Sequence, residues 1–251
     1  MYHKPKVAQF CSEHGKEMAG MMFYVLNGSP RKNHNTAKIL NSAMEGIRSI
    51  LPDAEFKWIH VYDYSYSGCV SCYGCKRIGG AYYGRCAKRD SITGLLEDIS
   101  QGDALLIGSP VFFHDLPGQL RAFLERLLYP YLVYGQAYTS IAPKRFPVAF
   151  FYTMNATEEK MEQMNYRVKL SAMEEYAEIV FSKPEIFYCF DTCQFDNYQL
   201  YKADRFSEKE KLHMRKEQFP KDCLRAAALG KKIAQRAICQ NPTASESPDR
   251  T

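Results

Sequence analysis

Met21 to Leu26 is an unbroken apolar run that stops at Asn27-Gly28-Ser29-Pro30, the pattern of a buried strand running into a turn. From Thr36 the apolar residues Ile39, Leu40, Ala43, Met44 and Ile47 recur at spacings of three and four, which predicts a helix with Asn35 or Thr36 as its N-cap. Glu55 to Tyr62 alternates as a second strand, and Ala104 to Gly108, Val148 to Thr153 and Ile186 to Phe190 are short apolar runs of the buried type. Helical periodicity separates them over Ile92 to Ile99, over Leu116, Leu120, Phe123, Leu124 and Leu127, over Met161 to Val180 and over Cys223 to Ile238. Strands alternating with helices predict an α/β fold with a parallel sheet covered on both faces. Right-handed crossovers then make a five-stranded doubly wound sheet in the order 2-1-3-4-5 the economical topology.

That pattern gives one domain over residues 21–240, after a leader at 1–20 and before a tail at 241–251 that is expected to be disordered. Residues 63–90, the segment 129–146 with Tyr129, Tyr131, Tyr134 and Tyr138, and the polar segment 191–220 read as insertions into it. The last of these either covers a neighbouring site or wraps the sheet edge.

Composition narrows the class. A chain of 251 residues with 46% hydrophobic side chains can bury a core without needing a disulfide or metal to hold it. The charge of +5, from 33 basic and 28 acidic residues, is too slight to argue a nucleic-acid or anionic-membrane partner. The first residues lack a secretory apolar run and no apolar stretch is long enough to cross a bilayer, so a cytoplasmic protein is expected. In that compartment the nine cysteines point to reduced thiols, a metal site or redox chemistry rather than structural disulfides.

Ligands of doubly wound sheets bind beyond the carboxyl ends of the strands at the switch point, here next to strands one and three. The sequence there is Gly28-Ser29-Pro30-Arg31-Lys32-Asn33-His34-Asn35-Thr36. Hydroxyls, an arginine and backbone N–H groups at a helix N-terminus are what a dianionic phosphate requires. No Gly-Lys-Ser/Thr closes the loop and no Gly-x-Gly-x-x-Gly is present, so a monophosphate fits better than a triphosphate or pyrophosphate.

NGSPRKNHNT at 27–36 resembles the FMN phosphate loop of the flavodoxin-like NAD(P)H-dependent FMN reductase family. GSPVFFHDLPGQLRAFLERL at 108–127 is similar to that family's flavin-cradling loop and following helix, and Thr153-Met154-Asn155 is a weaker third match. The resemblance implies a flavodoxin-like three-layer sandwich. It implies that Ser29, Arg31, Asn35 and Thr36 bind the FMN phosphate with Pro30 shaping the turn. Pro110, Val111, Phe112, Phe113 and His114 would line the isoalloxazine ring, with Thr153 and Met154 beside it. From the residues alone, Phe112 and Phe113 could equally be core at a strand end.

Cys69, Cys72 and Cys75 form a C-x2-C-x2-C run, with Cys86 further on, and spacing of two brings thiolates together in a turn. The run resembles the compact cluster motif of iron-sulfur flavoproteins, except that Lys76 to Arg85 lengthens the gap before the fourth cysteine. A 4Fe-4S cluster, free or reversibly oxidised thiols, and zinc all remain open for it. Following the second strand, it is expected near the same end of the sheet as the flavin. Asp90 is expected to cap the next helix.

The resemblance implies an enzyme in which FMN takes hydride from NAD(P)H and passes electrons to a quinone, flavin, nitro or azo compound. No catalytic side chain is needed, since the flavin N5 carries the chemistry. The alternative is an electron carrier holding FMN and a 4Fe-4S cluster, and a further one is a non-catalytic FMN-binding module. A homodimer is expected, because family flavin sites are commonly finished by a neighbouring subunit.

Overall fold

A computed structural model describes residues 20–240, so Cys11, most of the predicted leader and the predicted tail lie outside the described residues. Five parallel strands make the central sheet: β1 (Met22–Asn27), β2 (Glu55–His60), β3 (Ala104–Pro110), β6 (Val148–Thr153) and β7 (Glu185–Cys189). Their order is β2-β1-β3-β6-β7, the predicted 2-1-3-4-5 with a separate hairpin, β4 (Leu132–Tyr134) and β5 (Tyr138–Ser140), interposed in the chain. Buried strands alternate their side chains between two cores. Phe23, Val25, Leu106 and Phe151 face α1 (Asn35–Arg48) and α7 (Phe219–Gln240). Leu26, Ile107, Phe150 and Tyr152 face α2 (Thr93–Ser100), α3 (Gly118–Leu128) and α5 (Tyr166–Val180). The result is the flavodoxin-like three-layer sandwich.

The α1–α7 crossing depends on two glycines. A Cβ on Gly46 would stand 1.9 Å from the Ala227 carbonyl oxygen, and one on Gly230 would stand 2.0 Å from that of Ala43. The helices therefore meet backbone to backbone.

Several elements differ from expectation. The helix predicted over Met161 to Val180 is two, α4 (Glu158–Gln163) and α5, because Asn165 takes a left-handed conformation with φ of 54° between them. The tyrosine-rich insertion folds as the β4–β5 hairpin. Segment 191–220 contains a helix, α6 (Glu208–Glu217), whose dense charge hides it from a search for apolar periodicity. No helix among the described residues is long and apolar enough to cross a membrane.

One core contact yields a stability prediction. Tyr152, buried in β6, donates its hydroxyl to Glu174 Oε1 of α5 at 2.8 Å. Burial, and secondarily the charge of Glu175, push the Glu174 carboxyl up, outweighing the opposing pull of the Tyr152 hydrogen bond. A group with a raised folded-state value binds protons more readily in the native state, so its stability contribution is present at low pH and lost as pH rises. Glu174→Gln, which keeps the acceptor oxygen, is expected to raise the melting temperature at pH 7.5. The gain should vanish below the ordinary glutamate range, and a melting series from pH 4 to 8 checks both.

Candidate functional site

The carboxyl ends of β1 and β3 meet a loop built by its own side chains. Asn27 ends β1; its Oδ1 accepts from the Ser29 amide at 3.1 Å and its Nδ2 donates to the Lys32 carbonyl at 3.2 Å. The Gly28 amide donates to the Gly108 carbonyl at 2.8 Å, and a Cβ there would come within 2.5 Å of the Leu120 side chain. His60, at the end of β2, donates through Nε2 to the Ser29 carbonyl at 2.7 Å and holds Nδ1 3.2 Å from Asp63. Asp63 also pairs with Lys32 at 2.6 Å, and that hydrogen bond, assisted by His60, lowers its carboxyl. His60 thus shapes the loop from beneath, a role that nothing in the sequence pattern signalled.

Helix α1 begins with His34, not Asn35 or Thr36, as its N-cap, and His34 makes no side-chain capping bond. Its first turn has no acidic residue. The first amides of a helix have no intrahelical partner, and here no side chain substitutes for one, so they are available to an anion. Ser29, Arg31, Asn35 and Thr36 line one cavity with Pro110, Val111, Phe112, Thr153, Met154 and Asn155. Thr36 and Thr153 hydroxyls meet across it at 2.8 Å. The cavity wall also holds Asn155 Oδ1, a buried oxygen without a hydrogen-bond partner. Open amide donors, hydroxyls, a guanidinium and an unpaired acceptor fit a phosphorylated, hydroxyl-rich ligand such as FMN.

The segment after β7 returns over this loop in the same chain. Arg31 donates to the Gln194 carbonyl at 2.6 Å and Asn35 Nδ2 to the Cys193 carbonyl at 2.9 Å. Lys211 secures the segment, binding the Asn155 carbonyl at 2.8 Å and the Asp191 carboxylate, while the Cys193 thiol donates to the Lys211 carbonyl at 3.1 Å. Thr192 and Gln194 thereby join the cavity wall. Sequence reading missed them because the strap is fixed by backbone carbonyls, which carry no residue signature.

Burial, and then the charge of Arg31, lower the His34 imidazole below its ordinary value. A dianion arriving at the cavity His34 lines would favour the charged ring and raise it again. Phosphate-ligand binding is therefore expected to take up protons and to tighten as pH falls from 8 towards 6.5. NMR titration of His34 with and without FMN measures the shift directly.

At the tip of β3 the Phe112 and Asp115 backbones exchange two hydrogen bonds, of 2.8 and 2.9 Å, around a two-residue turn. Its central residues, Phe113 and His114, have φ of 50° and 69°. Two non-glycine residues in left-handed conformation are the strained, I′-like choice, usually left to Asn-Gly, and such strain concentrates at functional sites. Phe113 is 100% exposed and Phe112 43%, so neither is core. His114 is held by stacking on Tyr166 at 4.3 Å and by Lys169 at 3.0 Å. The Val111 amide is already given to the Thr153 carbonyl and that of Phe112 to Asp115, leaving Phe113 and His114 to offer backbone donors.

The cysteine loop departs from expectation. It leaves the ligand end and runs down α3: Tyr66 donates to the Gln119 carbonyl at 2.8 Å, the Cys69 amide to Glu125 at 3.4 Å, and Lys76 to the carbonyls of Tyr129 and Leu132. With a helix rising about 1.5 Å per residue, Arg126 lies roughly 12 Å along α3 from Gly118 at the ligand end. The cysteines therefore sit toward the opposite end of the helix from the switch point, and not beside it. Cys69, Cys72, Cys75 and Cys86 nonetheless line one small cavity of about 20 Å³.

Behind that cavity lies a fully buried arginine. Arg126 pairs with Asp90 and donates to Cys86 Sγ at 3.4 Å, to the Ser67 carbonyl at 3.3 Å and to the Lys88 carbonyl at 3.0 Å. Asp90 is not the cap expected of it: the N-cap of α2 is Ile92, without a side-chain capping bond, and Asp90 accepts from the Ile92 amide at 3.3 Å with one oxygen and carries the Arg126 pair with the other. Burial opposes the guanidinium charge, and Asp90 and Cys86 more than offset it. Burial likewise pushes the Cys75 thiol up, while Lys76 beside it acts in the opposite sense. Four thiols on one wall with two cations behind them suit an anionic, thiolate-held group. No three His, Cys, Asp or Glu side chains among the described residues are already gathered as ligands of a metal ion.

A doubly wound sheet with an uncapped helix N-terminus at its switch point defines a class, the flavodoxin-like domain that holds a phosphorylated cofactor. The chain belongs to the NADPH-dependent FMN reductase family, whose pattern matches residues 21–185. Among curated proteins it is 30% identical over 117 residues to an iron-sulfur flavoprotein of Clostridioides difficile, covering 43% of this chain and 50% of that one. It is 31% identical over 106 residues to an iron-sulfur flavoprotein of Archaeoglobus fulgidus, covering 42% and 48%. The matches thus span about half the length of these relatives. Among solved structures, an NAD(P)H:quinone oxidoreductase from Methanothermobacter marburgensis superposes with a TM-score of 0.61 at 14% identity, covering 86% of this chain and 100% of that one. An azoreductase from Bacillus anthracis superposes with a TM-score of 0.59 at 11% identity, covering 85% and 99%. At such identities the likeness is one of fold.

Proposed function

We propose that this protein is an FMN-dependent NAD(P)H oxidoreductase that passes electrons to a small acceptor such as a quinone, flavin, nitro or azo compound. The uncapped N-terminus of α1, with Ser29, Arg31, Asn35 and Thr36 around it, carries this reading. Bound FMN would supply the chemistry, accepting hydride from the nicotinamide and releasing electrons to the acceptor. The chain's part is placement. Arg31 and the first amides of α1 would neutralise the phosphate, and Pro30 would fix the turn that presents them. Thr153 and Met154 would form one wall, and Pro110, Val111, Phe112, Phe113 and His114 the edge along the ring. The strained 112–115 turn would keep Phe113 at the open face, where a nicotinamide, an acceptor or a second subunit of a homodimer could cover it. Oxidation of NADPH or NADH followed by absorbance, with FMN and a quinone added, tests the activity; failure with both coenzymes and several acceptors overturns it.

A second reading rests on the shared cavity of Cys69, Cys72, Cys75 and Cys86 and on relatives named as iron-sulfur flavoproteins. In it the four thiolates would hold a 4Fe-4S cluster, which supplies one-electron transfer, with Arg126 and Lys76 balancing its negative charge. A cluster needs more room than about 20 Å³, and the exposed Cys69 and Cys72 flank the left-handed Ser71 where the loop would open. Iron and acid-labile sulfide near four per chain in anaerobically purified protein would support this reading. Iron near zero would remove it and leave a flavin-only reductase.

A further inference from the structure

The tyrosine-rich hairpin is not used by either reading, yet it borders a cavity with an aliphatic and aromatic wall outside the ligand cleft. About 420 Å³ in volume, it lies between α3, α5 and the β4–β5 hairpin. That is the size of a small-molecule site rather than of a packing defect. Its floor is aliphatic, from Leu124 and Leu128 of α3 and Met173 and Val180 of α5. Its rim is aromatic. Tyr129 and Tyr134 meet at 6.1 Å, Tyr134 and Tyr138 at 5.6 Å and Tyr138 and Tyr176 at 6.5 Å, all edge to face, so the rings form a continuous arc. Tyr134 is 56% exposed and Tyr138 55%, which leaves the mouth of the cavity open.

The charged groups around it are few and already engaged, and the uncharged polar groups on its wall are Ser71 and the tyrosine hydroxyls. Glu125 accepts from the Cys69 amide at 3.4 Å and faces Arg121 at 3.6 Å. Lys76 lies behind the tyrosine wall, 4.3 Å from the Tyr129 ring centre, and spends its protons on the Tyr129 and Leu132 carbonyls. No unpaired charge is therefore offered to a guest, which selects an uncharged molecule. Aromatic edges and faces arranged in an arc select a flat one. Cys69 lines both this cavity and the small cavity shared by the four cysteines, so a guest here touches the cysteine set directly. Leu128 is ten residues along α3 from Gly118, about 15 Å from the phosphate-loop end of that helix.

We propose that this cavity is a second ligand site, distinct from the FMN cleft, for a flat, uncharged aromatic molecule of the quinone class. The site stands independently of the flavin assignment, being built from other elements at the other end of α3. The probe is 2,3-dimethyl-1,4-naphthoquinone, whose substituted ring carbons resist addition of thiols. Titrated into the full chain and followed by calorimetry and tyrosine fluorescence, it is expected to bind at one equivalent per chain without FMN, and FMN is expected not to displace that equivalent. Met173→Trp, which fills the floor, and Tyr138→Ala, which removes an exposed rim ring without disturbing the core, should each weaken binding about tenfold or more while flavin content is unchanged. Arg31→Ala should lose flavin and keep the quinone, which separates failure of the flavin reading from failure of this one. Absence of binding, unchanged affinity in folded Tyr138→Ala, or displacement of the quinone by FMN would overturn the proposal. So would a halved mass for Tyr138→Ala in light scattering without quinone binding, which would make this face an interface between copies.

Discussion

Arg126→Met is expected to destabilise the protein by about 3–5 kcal/mol, the usual cost of removing one partner from a buried ion pair. Met fills much of the same volume, so the loss is not one of packing. What it leaves behind is the Asp90 carboxylate, with a side chain only 15% exposed, and the Ser67 carbonyl, both without the guanidinium they face, while the Lys88 carbonyl keeps the Thr93 hydroxyl at 3.2 Å. Those groups lie on both arms of the cysteine loop, one before Cys69 and two after Cys86, so the same change should free the loop. The double variant Asp90→Asn with Arg126→Met removes the stranded charge and should recover part of the stability, but not all, because the Ser67 carbonyl loses its guanidinium donor and the Lys88 carbonyl keeps only the Thr93 hydroxyl. Urea titration of the three proteins measures this. If the loop holds a cluster, iron retained after desalting should fall in Arg126→Met more than stability alone explains; if it holds none, the thiols should simply become faster to alkylate. Equal stability of wild type and Arg126→Met would contradict the buried-pair account.

The contrast between Arg126 and the sheet shows what a sequence makes legible. Val148 to Thr153 can be read because a central parallel strand buries both faces and must be apolar throughout, and the strand observed has those bounds. The helix start within residues 27–36 can be read because helix initiation draws on a short list of residue types, the same list that the proposed phosphate site would use. Arg126 cannot. On a helix whose apolar stripe is Leu120, Phe123, Leu124 and Leu127, a charged residue is assigned to solvent by periodicity, and only the return of the 67–90 loop over that face buries it. The position of the cysteines is hidden in the sequence for a related reason. Sequence order put them after β2, near the ligand end, whereas Tyr66 on Gln119, Cys69 on Glu125 and Lys76 on Tyr129 carry them along α3. The strap at 192–194 was hidden because Arg31 and Asn35 bind its backbone, and any residues there would have served.

Arg31→Ala is expected to lower FMN affinity about tenfold to a hundredfold, because hydrogen bonds to a charged group are worth about 1.5–3 kcal/mol. Two routes could produce that loss. Arg31 could neutralise the phosphate directly, or it could act by tying Gln194 over the cavity, the bond it makes at 2.6 Å. Riboflavin, which has the ring and ribityl chain without the phosphate, separates them. Direct contact predicts that Arg31→Ala weakens FMN and leaves riboflavin unchanged, with the FMN loss shrinking at high salt. A strap role predicts that both ligands weaken together. Arg31→Lys sharpens the distinction: the charge survives, but the planar fork that can bind an oxygen pair and a carbonyl together does not. Equilibrium dialysis with fluorescence detection reads all four combinations. The outcome expected is a large FMN loss in Arg31→Ala, a smaller one in Arg31→Lys and little change in riboflavin. The guanidinium would then leave Gln194 for the phosphate on binding, and the segment from Thr192 to Gln194 would be what opens to admit the cofactor. Unchanged FMN affinity in Arg31→Ala would remove the phosphate from residues 29–36 altogether.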